Sequence, residues 1–567
     1  MKLAIDNGLL RVSNCANWFN DIKALGFKYD KKTRELVGEC TLDRLNGLAA
    51  IGRLPDAIEG ERRRQAAVYA EIEAEKQGQD PHPFVKYPVS VPLYKHQIKA
   101  ANCAMRLFFA NIAPQHRGFA YLMEMGTGKS LTAIAVAGAL YKYHQVKRLL
   151  IVCPSSLCFV WADELAKFAK FPYRAAVMQG DKKHRLAALA RLRDGFDGAK
   201  DELRVAIINY ESTFRDGIDR ALEEFDADMI ICDEAQRIKS AQAAQSKEMH
   251  HLGAAARFKL ILTGTPIQNK VIDVFSQYKF LDSSVFGSNF YAFRNRYVQM
   301  GGYQQHEVVG YRNVDELTRK MHSIAFRVRK EECLDLPAQT FETRTLEFEP
   351  STKKLYNRLA KDSIAELEQG EITAATVVTK LLRLRQLTGG FVRADGEDKP
   401  RLENRTKQEA LYDIIESVVL EGGKKLVVFA CFKAEIAAIC ELLGALRIGH
   451  VVIEGDVPQS ERGRLVNAFQ TDDSVKVFVG QLQTTGVGLT LTAASTAVFY
   501  SQDFNYANYT QALARIHRIG QTEKVTYITL AVRGTVDEKI QADLERKGVT
   551  AEQFVDKWRE YFAEIKA

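Results

Sequence analysis

The sequence lacks the long apolar segments that would place it in or across a membrane. Its longest apolar run, Ala133 to Tyr141, is far shorter than the ~20 residues that a membrane-spanning helix needs. The first residues, MKLAIDNGLL, include Asp6 and no apolar stretch of signal-peptide length. We therefore expect a cytoplasmic protein without a membrane partner.

Cysteine pairs with metal-binding spacing are also missing. The chain has nine cysteines and no Cys-x-x-Cys motif, and the closest two, Cys153 and Cys158, fall in a strand-and-turn segment. Scattered cysteines of this kind are typical of reduced intracellular thiols. The sequence therefore argues against both a disulfide scaffold and a zinc cluster.

A large excess of charge of one sign is absent as well. The formal net charge is +8 over 567 residues, which indicates only a mild preference for polyanions. Hydrophobic residues make up 46% and charged residues 26%, the balance of an ordinary globular protein, so global disorder, collagen and coiled-coil fibres are excluded. A chain of this length predicts about three domains.

Hydrophobic patterning divides the chain into segments with different expected structures. Two long segments alternate short apolar runs with helical stretches, which predicts parallel sheets covered by helices, and hence an α/β fold. A proline-rich stretch before the first of them predicts an extended linker, because proline removes amide donors and blocks helix. The expected parts are an N-terminal accessory domain (1–77), the linker (78–92), lobe 1 (93–282), a mostly helical region (283–400), lobe 2 (401–545) and a C-terminal helix (546–567).

A glycine-rich loop in lobe 1 predicts a phosphate site. EMGTGKS (124–130) follows the apolar stretch FAYLM and precedes an apolar helical run, the strand–loop–helix context of a P-loop. The first glycine of the usual motif is replaced by Met123, and Gly-Lys-Ser alone is equally typical of a plain turn before a helix. The context favours a site for ATP, with a hydroxyl for Mg²⁺ from Ser130. The expected phosphate-binding residues are Gly126, Thr127, Gly128, Lys129 and Ser130.

Two acidic residues end a later strand of the same lobe. DEAQ (233–236) follows the apolar run MIIC, and ligands bind at the carboxyl ends of strands in open α/β sheets. Asp233 is expected to hold Mg²⁺ and Glu234 to activate the attacking water, although two acids after a strand also suit a solvated turn. Gln97, before an amphipathic helix, could read an adenine edge; by itself it is better explained as a solvent-facing glutamine.

Lobe 2 has no Gly-Lys-Ser motif and instead carries two arginines at helical spacing. Arg515 and Arg518 lie three residues apart in QALARIHRIGQ (511–521), so both guanidinium groups could point to one place. Arginines that reach a γ-phosphate from a second domain act as arginine fingers, whereas most such pairs are ordinary charged helix faces. Gly486 and Gln511 complete the expected cofactor-binding set.

A series of motifs in a characteristic order resembles the Swi/Snf family of helicase-like ATPases, in helicase superfamily two, of a compact bacterial or phage type. The motifs span about 93–545 and are YKHQ, EMGTGKS, CPSSLCFVW, INYES, DEAQRIK, LTGTPIQN, LRLRQLTGG, VVFACF, IEGDV with Glu461 and Arg462, TTGVGLTLTAA and QALARIHRIGQ. The resemblance implies two RecA-like lobes, ATP hydrolysis in the cleft between them, and ATP-driven translocation on double-stranded DNA, usually without strand separation.

The sequence departs from the family pattern at a few positions. Gln236 stands where the family usually has histidine, Ser240 replaces a common asparagine, and Asp503 to Tyr506 replace Trp-Asn-Pro. The motif at 484–486 also lacks the first glycine of a Gly-Gly pair. These differences concern the subfamily and leave the expected motor residues in place.

Small polar residues at strand ends are the expected DNA contacts. By resemblance they face the DNA backbone, and each is equally well explained by helix capping or turn formation. Hydroxyls and amides in place of base-reading side chains predict backbone contacts with little sequence preference. The residues are Pro154, Ser155, Ser156, Asn209, Tyr210, Thr263, Thr265, Arg462, Thr484 and Thr485.

Three further residues lie on helical stretches of the two lobes. Arg383 and Arg385 fit equally well as phosphate contacts, as solvated helix charges or as links to acids across the cleft, and Trp161 is expected to pack in the interior.

The expected function is an ATP-dependent translocase on double-stranded DNA that remodels DNA or protein–DNA complexes. One alternative is a strand-separating DNA or RNA helicase, and another is a non-catalytic DNA-binding scaffold with a relic motor fold. A motor subunit that feeds a nuclease would need the nuclease from a partner. A protein partner would bind through residues 1–77.

Overall fold

The computed structural model divides into two compact units, Met1–Cys333 and Leu334–Ala567. The boundary falls inside the range 283–400 that the sequence groups as one region. In the described part of the chain, every helix is too short or too polar to span a bilayer. The described residues are 1–110, 112, 117–194, 201–264, 271–301, 307–369, 374–392, 400–485 and 489–546.

Unit 1 begins with a small domain built on an antiparallel sheet. Leu10, Val12 and Leu36 point from this sheet into a core shared with the helices of the domain. The elements are β1 (Lys2–Asp6), β2 (Leu9–Ser13), α1 (Phe19–Ala24), β3 (Lys28–Asp30), β4 (Glu35–Glu39), α2 (Leu42–Ile51) and α3 (Asp56–Gln77). The strand order β1-β2-β4-β3 is separate from the lobe sheets, which confirms an N-terminal domain.

The small domain and the linker are fastened to lobe 1. Asn102 donates to Glu75 at 2.7 Å and accepts from the Phe84 backbone N–H at 2.8 Å, so one buried amide binds both segments. The Lys76 ammonium donates to the His322 carbonyl at 2.6 Å. Residues 78–92 contain no helix, and the Val89 backbone pairs with Ala169 of lobe 1.

Lobe 1 is a parallel sheet with helices between its strands. Its elements are α4 (Lys95–Phe109), β5 (Arg117–Met123), α5 (Lys129–Lys142), β6 (Arg148–Cys153), α6 (Cys158–Phe168), β7 (Tyr173–Val177), α7 (Lys182–Asp194), β8 (Leu203–Asn209), α8 (Tyr210–Thr213), α9 (Ile218–Phe225), β9 (Met229–Asp233), α10 (Ala244–Ala255), β10 (Phe258–Leu262), α11 (Asp273–Leu281), α12 (Ser283–Phe286), α13 (Phe290–Tyr297), β11 (Val298–Gly301), β12 (Glu307–Tyr311), α14 (Val314–Ser323), β13 (Ala325–Val328) and α15 (Lys330–Cys333). The seven strands run in the order β13-β5-β10-β9-β6-β8-β7, all parallel.

Unit 2 contains a second parallel sheet. Its elements are β14 (Gln339–Leu346), α16 (Pro350–Gln369), α17 (Ala374–Thr388), β15 (Phe391–Val392), β16 (Arg401–Leu402), α18 (Thr406–Ile415), a π-helix (Glu416–Glu421), β17 (Lys425–Ala430), α19 (Lys433–Ala445), β18 (Gly449–Ile453), α20 (Gln459–Thr471), β19 (Val475–Gln481), α21 (Leu482–Thr485), β20 (Ala494–Phe499), α22 (Tyr506–Ile516), β21 (Val525–Val532) and α23 (Val536–Glu545). The six strands run in the order β14-β21-β20-β17-β19-β18. The two sheets confirm the predicted α/β fold with two parallel-sheet lobes.

The region 283–400 is less purely helical than its sequence predicts. β13 adds an edge strand to the sheet of lobe 1, β14 adds one to the sheet of lobe 2, and β11 and β12 form a hairpin. β13 has only four residues and β14 is largely exposed, so neither shows the continuous apolar run of a central strand. Most of the expected C-terminal helix, 547–567, lies outside the described residues.

A buried ion pair joins helices of lobe 2. The Lys407 ammonium lies 2.7 Å from an Asp537 oxygen, and the two side chains are 1% and 9% exposed. Asp537 also accepts from the Thr388 hydroxyl at 2.9 Å and the Val532 backbone N–H at 3.2 Å. The pair therefore connects α17, α18 and the β21–α23 turn.

Replacing Asp537 by alanine is expected to destabilise unit 2 by about 3–5 kcal/mol, because it leaves the Lys407 ammonium buried without its carboxylate. The loss is measured as a fall in the denaturant midpoint of the full chain. A double variant, Lys407→Met with Asp537→Leu, should recover most of it. The matched control is Asp456→Ala, which breaks the exposed ion pair with Lys433 and should leave the midpoint unchanged. A midpoint unchanged in Asp537→Ala would contradict this role.

Candidate functional site

The pairing of three strands brings the expected site residues of lobe 1 together. β10 pairs in parallel with both β5 and β9, and Leu262 lies opposite both Tyr121 and Asp233. The carboxyl ends of the three strands therefore meet at one edge of the sheet. The glycine-rich loop follows β5, and Thr263 follows β10. Asp233 is the last residue of β9, and Glu234 comes directly after it.

The glycine-rich loop has the curled backbone that phosphate binding requires. Gly126 has φ +87° and Gly128 has φ +85°, a region that side-chain-bearing residues rarely adopt. A Cβ at Gly128 would also lie 2.1 Å from the amide nitrogen of Gln97. The buried Thr127 closes the turn, since its hydroxyl donates to the Glu124 carbonyl at 2.7 Å.

Lys129 and Ser130 begin α5, directly after the loop. The N-terminus of this 14-residue helix offers backbone N–H groups and a partial positive charge to an anion. The Lys129 ammonium donates to the Met123 carbonyl at 3.0 Å, which holds it beside the loop. The half-buried Ser130 hydroxyl lies one residue further along the helix.

Asp233 is a buried carboxylate held by two donors. Its Oδ2 accepts from the indole Nε1–H of Trp161 at 2.9 Å, and its Oδ1 accepts from the Glu234 backbone N–H at 2.9 Å. Burial and the neighbouring Glu234 raise the pKa of Asp233 to about 7, whereas Lys129 and the indole act in the opposite direction. Trp161 thus does more than the packing that its sequence predicts.

Glu234 has an unusual backbone conformation and a defined side-chain partner. Its φ of +50° is uncommon for a residue with a side chain and costs about 1–3 kcal/mol, as seen at functional sites. Its carboxylate accepts from the Gln236 amide at 2.5 Å, and the Gln236 oxygen accepts from the Thr263 hydroxyl at 2.9 Å. Gln236 therefore connects Glu234 to the end of β10. The sequence marks this residue only as a departure from the family pattern.

Gln97 is directed at the glycine-rich loop and does not take the solvent-facing position that is its plainer explanation. The side chain is 1% exposed, its oxygen accepts from the Tyr94 backbone N–H at 3.0 Å, and its nitrogen donates to the Thr127 carbonyl at 3.1 Å. Only one amide proton and one oxygen lone pair are left for a base. Gln97 thereby supports the shape of the loop.

These residues fit a nucleoside triphosphate with Mg²⁺. The curled loop and the start of α5 offer N–H groups, Lys129 offers a positive charge, and Ser130 with Asp233 offer the oxygen ligands that Mg²⁺ prefers. The buried carboxylate of Asp233 has a raised pKa, and a bound cation would offset the cost of its charge.

The expected DNA contacts of lobe 1 fall into surface and interior groups. Ser155 is exposed, and Ser156 and Asn209 are half-buried. Pro154 is buried, Tyr210 is fully buried with its hydroxyl on the Asp233 backbone carbonyl at 2.8 Å, and Thr263 is fully buried. Because of this burial, direct side-chain contact with DNA does not fit Tyr210 or Thr263. Thr265 lies outside the described residues.

The two arginines of lobe 2 converge on one atom. Arg515 donates to the Leu489 carbonyl at 3.4 Å and Arg518 to the same oxygen at 3.1 Å. The helix α22 ends at Ile516, so Arg518 lies in the following turn and not on the predicted helical face. Gln511 is half-buried on α22, and Gly486 lies outside the described residues.

Gln481 links the ends of two strands of lobe 2. Its oxygen accepts from the Gly455 backbone N–H at 3.1 Å and the Thr484 hydroxyl at 3.0 Å, so it connects the ends of β18 and β19. The half-buried Arg462 donates to the Val457 carbonyl at 3.1 Å, and burial lowers its pKa. Of Thr485, only the backbone is described.

Arg385 contacts a backbone carbonyl and an aromatic ring within lobe 2, which is none of its three expected roles. It donates to the Gln502 carbonyl at 2.8 Å, and its guanidinium lies 5.2 Å from the centre of the Phe432 ring. This cation–π contact and hydrogen bond hold α17 against the sheet. Arg383, on the same helix, is exposed.

Comparison with known proteins identifies two family regions in the chain. Residues 73–389 match the SNF2-related domain, and residues 406–520 match the helicase conserved C-terminal domain. The SNF2-related match covers more than half of the chain.

Curated relatives match most of this chain. It is 30% identical over 435 residues to the DNA annealing helicase and endonuclease ZRANB3 of Mus musculus. The matched region covers 75% of this chain and 38% of that protein. It is 26% identical over 422 residues to an uncharacterized ATP-dependent helicase of Mycoplasma genitalium, with 74% and 38% covered. The chain thus spans about two fifths of the length of these relatives.

A solved structure, the Sulfolobus solfataricus SWI2/SNF2 ATPase core in complex with dsDNA, is 25% identical with a TM-score of 0.39; the match covers 86% of this chain and 97% of that one. The family itself is established by the domain match, and the chain therefore belongs to the SNF2-related family of helicase-like ATPases.

Proposed function

We propose that this protein hydrolyses ATP with Mg²⁺ and uses the energy to move along double-stranded DNA, remodelling DNA or protein–DNA complexes. The observation that carries the proposal is the meeting of the glycine-rich loop, Asp233 and Glu234 at one edge of the lobe 1 sheet. A relic scaffold has no need for a left-handed glutamate and a buried carboxylate with two donors at this edge.

Each residue of the edge has a task in hydrolysis. Lys129 and the backbone N–H groups of the loop bind the β- and γ-phosphates. Ser130 and Asp233 hold Mg²⁺, which supplies positive charge for the phosphate oxygens. Glu234 orients the attacking water and accepts its proton, and the Gln236 amide keeps the Glu234 carboxylate in one orientation.

Lobe 2 supplies the arginine fingers in this proposal. Arg515 and Arg518 already share one acceptor, the Leu489 carbonyl. If both guanidinium groups exchanged this acceptor for a phosphoryl oxygen, they could bind that oxygen together. Charge on the γ-phosphate grows in the transition state, and two guanidinium groups stabilise it. Hydrolysis would then require both lobes, which couples turnover to lobe movement.

Double-stranded DNA is the proposed track. Exposed or half-buried small polar groups at the strand ends of lobe 1 suit the phosphate backbone, which carries no sequence information. The Mus musculus relative is named a DNA annealing helicase, which supports DNA over RNA as the partner. We place a protein partner, if one binds, at residues 1–77.

Lys129→Ala and Glu234→Gln are expected to abolish ATP turnover, with losses on the order of 10²–10⁴ for the general base. Affinity for duplex DNA should stay close to that of the unchanged chain, because both residues belong to the proposed ATP site and neither is an expected DNA contact. Phosphate release and DNA binding measure the two effects. Lys142→Ala, at the exposed end of the same helix, is the matched control. Unchanged turnover in Glu234→Gln would remove this residue from the mechanism.

Arg515→Ala and Arg518→Ala should each lower turnover, by about 10³-fold if the residue acts as an arginine finger. ATP affinity should change far less, because the stabilised charge develops in the transition state. Steady-state kinetics over a range of ATP concentrations separates the two quantities. Arg447→Ala, in the exposed turn after α19, serves as the control. A change confined to KM in both finger variants would contradict the assignment.

Turnover in the presence of duplex DNA should exceed turnover with single-stranded DNA or RNA at equal nucleotide concentration. Raising the salt concentration should weaken the stimulation, because backbone contacts release counterions. Stronger stimulation by single strands would favour the strand-separating helicase. Absence of hydrolysis with all three nucleic acids would favour the non-catalytic scaffold.

A further inference from the structure

We propose that Trp161 is a positioning residue that connects the DNA-facing segment at the start of α6 to the metal-binding carboxylate of Asp233. The inference rests on the proposed function and adds to it a route by which duplex DNA controls hydrolysis. It derives from the direct contact of a buried indole with a buried acid.

The contact fixes the orientation of the carboxylate. The Trp161 side chain is 1% exposed, and its indole N–H has a single direction in which to donate. It donates to Oδ2 of Asp233, while the Glu234 backbone N–H donates to Oδ1. With one donor on each oxygen, the plane of the carboxylate is set, and so are the lone pairs left for Mg²⁺.

The segment between the surface and the indole is short and internally bonded. Ser155 is exposed and begins a 3-10 helix that leads directly into α6 at Cys158. The Leu157 backbone N–H donates to the Pro154 carbonyl at 2.8 Å, and the sulfur atoms of Cys153 and Cys158 lie 3.6 Å apart. Trp161 follows one helical turn later. A shift of the surface segment on DNA binding is therefore carried to the indole.

A second segment repeats the arrangement. Asn209, half-buried at the end of β8, is followed by Tyr210, whose hydroxyl donates to the Asp233 backbone carbonyl at 2.8 Å. β6 lies between β8 and β9 in the sheet, so both segments begin at strands near that of Asp233. Each expected DNA-facing segment is thus followed by a buried aromatic residue that donates to Asp233. Trp161 donates to the Asp233 carboxylate, and Tyr210 donates to the Asp233 backbone carbonyl.

The test compares Trp161→Phe with Tyr121→Phe in the full chain. Phenylalanine keeps most of the ring at position 161 and removes the N–H donor. Tyr121 is the matched control, because its buried hydroxyl has no hydrogen-bond partner among the described residues. Three quantities are measured for each variant: affinity for a fluorescent ATP analogue with Mg²⁺ and with EDTA, affinity for a labelled duplex, and turnover with and without duplex.

In EDTA, Trp161→Phe is expected to bind the analogue as tightly as the unchanged chain does. The increase in affinity that Mg²⁺ causes should be about tenfold smaller in the variant, which corresponds to the loss of one hydrogen bond to a charged group. Duplex affinity should be retained within about twofold, since the indole is buried away from the surface. The ratio of turnover with duplex to turnover without it should fall by about tenfold. Tyr121→Phe should match the unchanged chain in all three measurements.

A Trp161→Phe protein with an unchanged Mg²⁺ effect and an unchanged stimulation ratio would overturn the proposal and leave Trp161 with packing alone. If that variant does not fold, Trp161→Met decides, because methionine also lacks an N–H donor and adapts to the space around it; an unchanged Mg²⁺ effect and stimulation ratio there would also overturn the proposal. If the unchanged chain hydrolyses no ATP, the proposed function fails, while the binding measurements in Mg²⁺ and EDTA still test the orientation of Asp233.

Discussion

The parallel pairing of β10 with both β5 and β9 is the constraint on which the proposed nucleotide site depends. Each strand contributes one motif at its carboxyl end, and the motifs are far apart in the chain. The register of this pairing decides that Asp233 lies level with Leu262 and Tyr121. Shifting either pair by one residue would move the carboxylate and would turn its side chain to the other face of the sheet.

Burial gives the edge its order and also carries a cost. A charged carboxylate in the interior is unfavourable, as the raised pKa of Asp233 records. Two hydrogen bonds, from the Trp161 indole and the Glu234 backbone N–H, offset part of that cost. The positive charge of Lys129 offsets a further part. An acid in this condition binds a cation readily, because the cation replaces the solvation that folding has taken away. In the proposed function, stability and Mg²⁺ binding are thus linked through one side chain.

Lobe 2 achieves a similar convergence with cations. Arg515 and Arg518 meet at the Leu489 carbonyl, one from the last turn of α22 and the other from the chain beyond it. In the same lobe, the buried pair of Lys407 and Asp537 connects α17, α18 and the β21–α23 turn. The middle region is therefore part of the two lobes, and its strands β13 and β14 complete their sheets.

The sequence by itself determined the central strands, the curled loop and the acids that follow β9, because these depend on local patterns: continuous apolar runs, glycines before a helix, and carboxylates at a strand end. Only the tertiary structure decided that Trp161 binds Asp233, that Gln97 supports the loop and that Gln236 joins Glu234 to Thr263. Each of these hydrogen bonds depends on a side-chain direction set by packing, and most join residues distant in the chain. The edge strands β13 and β14 also needed the fold, because one has only four residues and the other is largely exposed, so neither contains a long apolar run.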